Sequence, residues 1–262
     1  MRTYLFIFFA LVAFSWIGCK PQSATDDTNN IPYNLTYGDS IIYLRPVASG
    51  DYVVYPSTRK EGVYTGFPEG IEIDAVTGAI NVSKSETGLR YRITHTALDG
   101  KKTETNLVLS GITFSDKFYN LSQNDSLCLP IYNASEARAL PLSGSNFDEG
   151  NNANSGGCSV RTENGSINLA QCVRNGVFGN TPQNDSRRDF DINYRINDAS
   201  GKSLNKIRVR IYYYTSMATV APDLMQTLLD RQTGGVFLRG GTVEMAAQTA
   251  KPRPPCVIII AN

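Results

Sequence analysis

Short alternations of apolar and polar residues, two residues in period, run through most of the chain and predict strands rather than helices. The clearest lies between Phe67 and Val82. Ile71 and Ile73 alternate with Glu72, Ile80 and Val82 alternate with Asn81, and Asp74 and Gly78 sit between the two arms. An Asp that hydrogen-bonds its own backbone and a Gly that accepts positive φ are turn residues, so the stretch predicts a β-hairpin. Further strands are predicted at Leu107–Leu109, Ile112–Phe114 and Ile207–Tyr214, the last with Ile207, Val209 and Ile211 on one face and arginines on the other. Towards the C-terminus, Pro222–Gln232 has helical spacing, with Leu224, Met225 and Leu228 on one face and Gly234-Gly235 as a stop. Val236–Leu238 and Thr242–Met245 flank a Gly240-Gly241 turn, and Lys251–Pro255 is Pro-rich and extended. Cys256–Ile260 is too apolar to be left in water and predicts a terminal buried strand.

The pattern also repeats. Asp39-Ser40-Ile41 returns as Asp125-Ser126-Leu127, and Gly78-Ala79-Ile80-Asn81-Val82 as Gly165-Ser166-Ile167-Asn168-Leu169. Tyr91-Arg92-Ile93 returns as Tyr194-Arg195-Ile196, and Gly100-Lys101 as Gly201-Lys202. Four matches in one order argue for duplication. The second copy is longer through two elaborations, 142–157 and 172–189, whose Gly- and Asn-rich composition predicts long loops.

The Pro68-Glu69-Gly70-Ile71-Glu72-Ile73-Asp74 run, followed by Thr77-Gly78-Ala79-Ile80, resembles the immunoglobulin-like and cadherin-like domains of bacterial envelope proteins. With the repeat, the expected fold is all-β: two tandem immunoglobulin/cadherin-like β-sandwiches with a short C-terminal helix–strand extension. The expected organisation is a signal peptide over 1–18, a flexible tether over 19–32, sandwiches at 33–115 and 116–217, and an extension over 218–262 that packs on the second sandwich.

The leader fixes the expected compartment. Arg2 precedes an apolar run from Leu5 to Ile17, too short for a membrane span, and Gly18-Cys19 closes it. That ending resembles the lipobox of bacterial lipoproteins, with Trp16 where Leu is usual; the resemblance implies lipidation of Cys19 and anchorage to the outer membrane, facing the periplasm or the surface. Lys20–Pro32 is polar, and its Asp26-Asp27 loosely resembles the acidic export signals of Bacteroidetes surface lipoproteins.

In 262 residues, 25 Lys and Arg face 24 Asp and Glu, so no net field favours nucleic acid. No Gly-x-Ser-x-Gly elbow, His-Glu-x-x-His helix or phosphate-binding loop occurs. His95 is the one histidine and alternates with Thr, so it is expected to face solvent or a strand neighbour. Beyond Cys19, an even set of four cysteines in an exported chain (Cys128, Cys158, Cys172 and Cys256) suits two disulfides. Three connectivities are open, with Cys158–Cys172 and Cys128–Cys256 the simplest pairing.

Cadherin-like domains bind calcium between modules, and the resemblance makes Asp116, Asp189 and Asp191 weak candidates for that role. Asp39-Ser40-Ile41 and Asp125-Ser126-Leu127 resemble Bacteroidetes O-glycosylation targets at Ser40 and Ser126. The expected role is that of a lipid-anchored envelope protein that binds, adheres or spaces, through a protein or glycan ligand, and is not an enzyme. The alternative is a carbohydrate-binding accessory lipoprotein of a polysaccharide-uptake system, which calls for an exposed aromatic patch at Tyr212–Tyr214 or at Tyr52 and Tyr55. An enzyme would instead need two carboxylates within about 10 Å in one cleft.

Overall fold

The Asp74–Gly78 turn forms as its residues dictate. In the computed structural model, which describes residues 33–233 and 255–262, the Asp74 carboxylate accepts hydrogen bonds from the Val76 and Thr77 backbone N–H groups at 3.0 and 2.7 Å and from the Thr77 hydroxyl at 2.8 Å. Gly78 takes φ +71°, where a side chain would be strained, and a Cβ there would lie 2.8 Å from the Tyr64 ring. The two arms then meet in a single bridge between Ile73 and Ile80. The signal peptide, the tether with Cys19, and the strands and Pro-rich segment expected between 234 and 254 lie outside the described residues.

The turn is built a second time at the copy. Val160 bridges Ile167, Gly165 takes φ +72°, and a Cβ on it would lie 2.8 Å from the Phe147 ring. The backbone bonds correspond one to one. Asp74 N–H to Ala79 carbonyl matches Arg161 to Ser166, Asn81 to Glu72 matches Asn168 to Ser159, and Tyr64 to Ala75 matches Phe147 to Thr162. The Asn81 side chain receives the Lys84 N–H as that of Asn168 receives the Gln171 N–H.

The first part of the described chain holds β1 (Ile41–Ile42), β2 (Val53–Val54), β3 (Val63–Phe67), β4 (Ile80–Asn81), β5 (Arg90–Thr96), β6 (Lys102–Leu109) and β7 (Ile112–Phe114). Four of them form a sheet ordered β1-β6-β5-β3, in which β1 runs parallel to β6, and β2 pairs with β4. The burial of β5 alternates strictly, placing Tyr91, Ile93 and His95 inward. His95 is therefore a core residue, 2% exposed, packed on the Tyr64 ring at 4.6 Å, with Nε2 3.0 Å from the Glu61 carbonyl. Of the two expected placements, the strand neighbour holds and solvent does not: Tyr64 is its cross-strand partner, and its position shares the inward parity of Tyr91 and Ile93.

The second part holds β8 (Lys117–Asn120), β9 (Leu127–Cys128), β10 (Pro130–Tyr132), β11 (Asn146–Phe147), the short helix α1 (Asn152–Ser155), β12 (Ile167–Asn168), α2 (Leu169–Arg174), β13 (Ser186–Arg195), β14 (Asn205–Tyr214), α3 (Pro222–Thr233) and β15 (Cys256–Ile260). Its main sheet is ordered β11-β13-β14-β15-β8, with β15 parallel to both neighbours. The last strand of the chain is thus a central strand, and all five of its residues are buried. The fold is all-β with few helices, as the strand periodicities imply. Where the first sheet pairs β1 directly and in parallel on β6, the second inserts β15 between β14 and β8.

Register corrects two sequence matches. Val82 N–H bonds the Tyr52 carbonyl just as Leu169 N–H bonds that of Ser126, so Leu127-Cys128 on β9 corresponds to Val53-Val54 on β2, not to Ile41 on β1. Tyr64 pairs with His95 and Phe147 pairs with Tyr194, so Tyr194 occupies the place of His95 rather than that of Tyr91. The two parts also touch. The Tyr194 hydroxyl accepts the Ile112 N–H at 3.1 Å and lies 3.1 Å from the Thr87 hydroxyl.

The two elaborations are structured rather than open loops. The first contains β11 and α1, where buried Asp148 accepts the Ala153 and Asn154 N–H groups, each at 2.9 Å. The second opens inside α2, and its last residues belong to β13.

Candidate functional site

Alternation along β13, β14 and β15 divides the five-stranded sheet into two faces. Phe190, Ile192, Val209, Ile211, Val257 and Ile259 point into the larger core. Tyr212, Tyr214, Cys256, Ile258 and Ile260 point the other way, beneath Leu224 and Leu228 of α3. Pro222 opens α3 at a first-turn position, and Ala221 accepts the Met225 N–H. Burial of the Leu224–Leu228 stripe holds the helix across the strands.

The helix covers only part of that face. Beside it lies a polar cleft of about 240 Å³. Asp185 and Arg187 enter it from the head of β13, Arg210 and Tyr212 from β14, and Cys256 from β15; α3 contributes Asp223, Thr227 and Arg231. Most of these charges are already tied. Arg210 forks onto Asp189 at 2.6 and 2.7 Å, and Asp185 accepts the Tyr214 hydroxyl at 2.7 Å. Arg231 pairs with Asp116 at 3.0 Å with both side chains nearly excluded from solvent, and it also reaches the Cys256 sulfur at 3.0 Å. Arg187 and Asp223 form no ion pair among the described residues, and both are exposed at the cleft.

The electrostatics do not prepare a nucleophile here. Burial pushes the Cys256 thiol pKa up, Asp116 adds to that, and Arg231 opposes it. A thiol held protonated is a poor nucleophile.

Other residues singled out by sequence fall elsewhere. Asp116 is buried between α3 and β15, where it also accepts the Cys256 N–H. Asp189 and Asp191 are each gripped by a guanidinium fork, Asp191 by Arg208 at 2.7 and 2.9 Å. The oxygens a calcium ion would need are thus taken up by arginine, and among the described residues no group of three or more His, Cys, Asp or Glu is arranged to hold a metal. Ser40 is exposed, and Ser126 is half-buried with its carbonyl bonded to Leu169. Tyr212, Tyr213 and Tyr214 are buried, which removes them as a sugar-stacking platform; Tyr55 stays 65% exposed.

No disulfide joins the four described cysteines to one another, and all four are buried. Cys128, Cys158 and Cys172 lie in the larger core and Cys256 on the opposite face of the sheet, so a Cys128–Cys256 bridge is overturned by strand parity. Cys158 and Cys172 do adjoin: the Ser159 N–H, beside Cys158, reaches the Cys172 sulfur at 3.2 Å.

Sequence reasoning missed Asp223 and reached Arg187 only through the long 172–189 elaboration, which delivers Asp185 and Arg187 to the cleft.

No protein-family model and no curated protein matches the chain. Among solved structures, the crystal structure of Drosophila N-cadherin EC1-4 aligns with 11% identity over 66% of this chain and 46% of that one, at a TM-score of 0.19. The aligned part is thus less than half of that cadherin's length.

Proposed function

We propose that this chain is a lipid-anchored cell-envelope protein, held to the outer membrane through Cys19, with a binding, adhesion or spacer role rather than a catalytic one. Its binding surface on this reading is the cleft beside α3. The observation that carries it is that Arg187 and Asp223 flank this cleft with no ion-pair partner among the described residues, while the neighbouring arginines are tied. Opposite charges left open in one concavity are what a small polar ligand with both kinds of group needs. The leader ending in Gly18-Cys19 supports the anchor and compartment. The protonated thiol at the cleft and the lone histidine sealed under Tyr64 favour binding over chemistry.

On the same reading, 33–115 and 116–217 are two immunoglobulin/cadherin-like sandwiches, and 218–262 is an extension of the second. The turn built twice with matching hydrogen bonds supports this division. The carbohydrate-accessory alternative is left with Tyr55 as its exposed aromatic.

The test is thermal denaturation of the full chain against a panel of small carboxylates, amines, zwitterions and oligosaccharides. At least one charged compound should raise the Tm of the native protein and not that of Arg187→Ala or Asp223→Ala. A panel without effect, or an effect both variants retain, contradicts the cleft as the binding surface.

A further inference from the structure

Two of the buried thiols are placed for a covalent role that the cleft does not use. Cys158 follows α1 and Cys172 lies on α2, and the chain between them turns back at Gly165, so that the Ser159 N–H next to Cys158 reaches the Cys172 sulfur at 3.2 Å. The other two described cysteines are held differently. Cys128 accepts the Tyr119 hydroxyl at 3.1 Å, and Cys256 is across the sheet. We propose that Cys158 and Cys172 are the disulfide-forming pair of this chain, oxidised by a low-molecular-weight disulfide during folding in the envelope.

The step balances with the named oxidant. One of the two cysteines, as its thiolate, attacks one sulfur of RSSR, forms a mixed disulfide with R and releases RS⁻. The other gives up its proton and attacks the first cysteine's sulfur; the bond to R breaks and a second RS⁻ leaves. Two protein thiols are oxidised to one disulfide, RSSR is reduced to two thiols, and the two cysteine protons end on them. Both sulfurs are fully buried in the folded chain, so the exchange takes place before the α1–α2 segment closes.

The pairing rests on the exported compartment only for where it happens, and refolding separates the two questions. The full chain is unfolded in reductant, refolded with glutathione disulfide, alkylated and digested with trypsin. Cleavage after Arg138, Arg161 and Arg174 places Cys158 in 139–161 and Cys172 in 162–174, apart from the peptides carrying Cys128 and Cys256. The proposal expects 139–161 joined to 162–174, a bridge retained in Cys128→Ala, and a Tm about 5–10 °C higher than for the reduced protein, as a loop of this length implies. Cys158 and Cys172 both alkylated after refolding, or a bridge through Cys19, Cys128 or Cys256, overturns it. The same bridge after refolding, with free thiols in protein taken from its native membrane, would instead contradict the envelope compartment.

Discussion

Arg231 on α3 and Asp116 at the foot of β8 form an ion pair at 3.0 Å, with both side chains under a tenth exposed. Residues far apart in sequence are joined here over the central strand, since Asp116 also takes the Cys256 N–H. Removing one partner breaks a buried ion pair, which costs about 3–5 kcal/mol. Asp116→Ala should lower unfolding free energy by that amount in urea titration. The double variant Asp116→Leu/Arg231→Met should recover most of the loss, because two apolar residues leave no charge uncompensated.

The duplicated turn makes paired predictions. Gly78→Ala and Gly165→Ala each force a Cβ at positive φ to within 2.8 Å of an aromatic ring. Each should destabilise by about 2 kcal/mol or more, measured by denaturant unfolding, and by similar amounts. Gly100→Ala also sits at positive φ but meets nothing within 4 Å, so its cost should be clearly smaller.

Tyr194 joins the two parts of the chain through one hydroxyl. Tyr194→Phe leaves the buried Ile112 N–H without the acceptor it has at 3.1 Å. The expected loss is about 1–3 kcal/mol, with both parts still unfolding together when followed by tyrosine fluorescence and circular dichroism.

Acid should act on the outer row of the sheet. Guanidinium hydrogen bonds hold the Asp189 and Asp191 carboxyls below their ordinary value of 3.8. A carboxylate whose pKa is lowered by folding contributes stability above its unfolded pKa and loses it as pH falls through the folded one. Unfolding free energy should therefore fall as pH drops below about 4, and fall less in Asp189→Asn/Asp191→Asn. The side chains are about a third exposed, so the difference should be small and shrink further in salt.

Local periodicity carried much of the fold. The Ile71–Val82 turn, the β14 alternation, the α3 stripe and the apolar C-terminal strand were legible because each is written in adjacent residues. Pairing partners were not. Nothing local distinguishes Ile41 on β1 from Leu127 on β9 as the partner of a given strand, so a matching triplet misaligned the copies. His95 went astray because its threonine neighbours look like a solvated strand, while burial alternates with Tyr91 and Ile93. The cleft was invisible because its charges come from three elements, and parity on strands whose order was unknown decides which of them meet.

On the proposed reading, anchorage through Cys19 places the cleft in the envelope, and partition of the full chain between detergent and water phases tests that reading most directly. Wild-type protein from cells should enter the detergent phase, and Cys19→Ser should move to the aqueous phase. Wild type and variant partitioning alike into the aqueous phase would contradict the account.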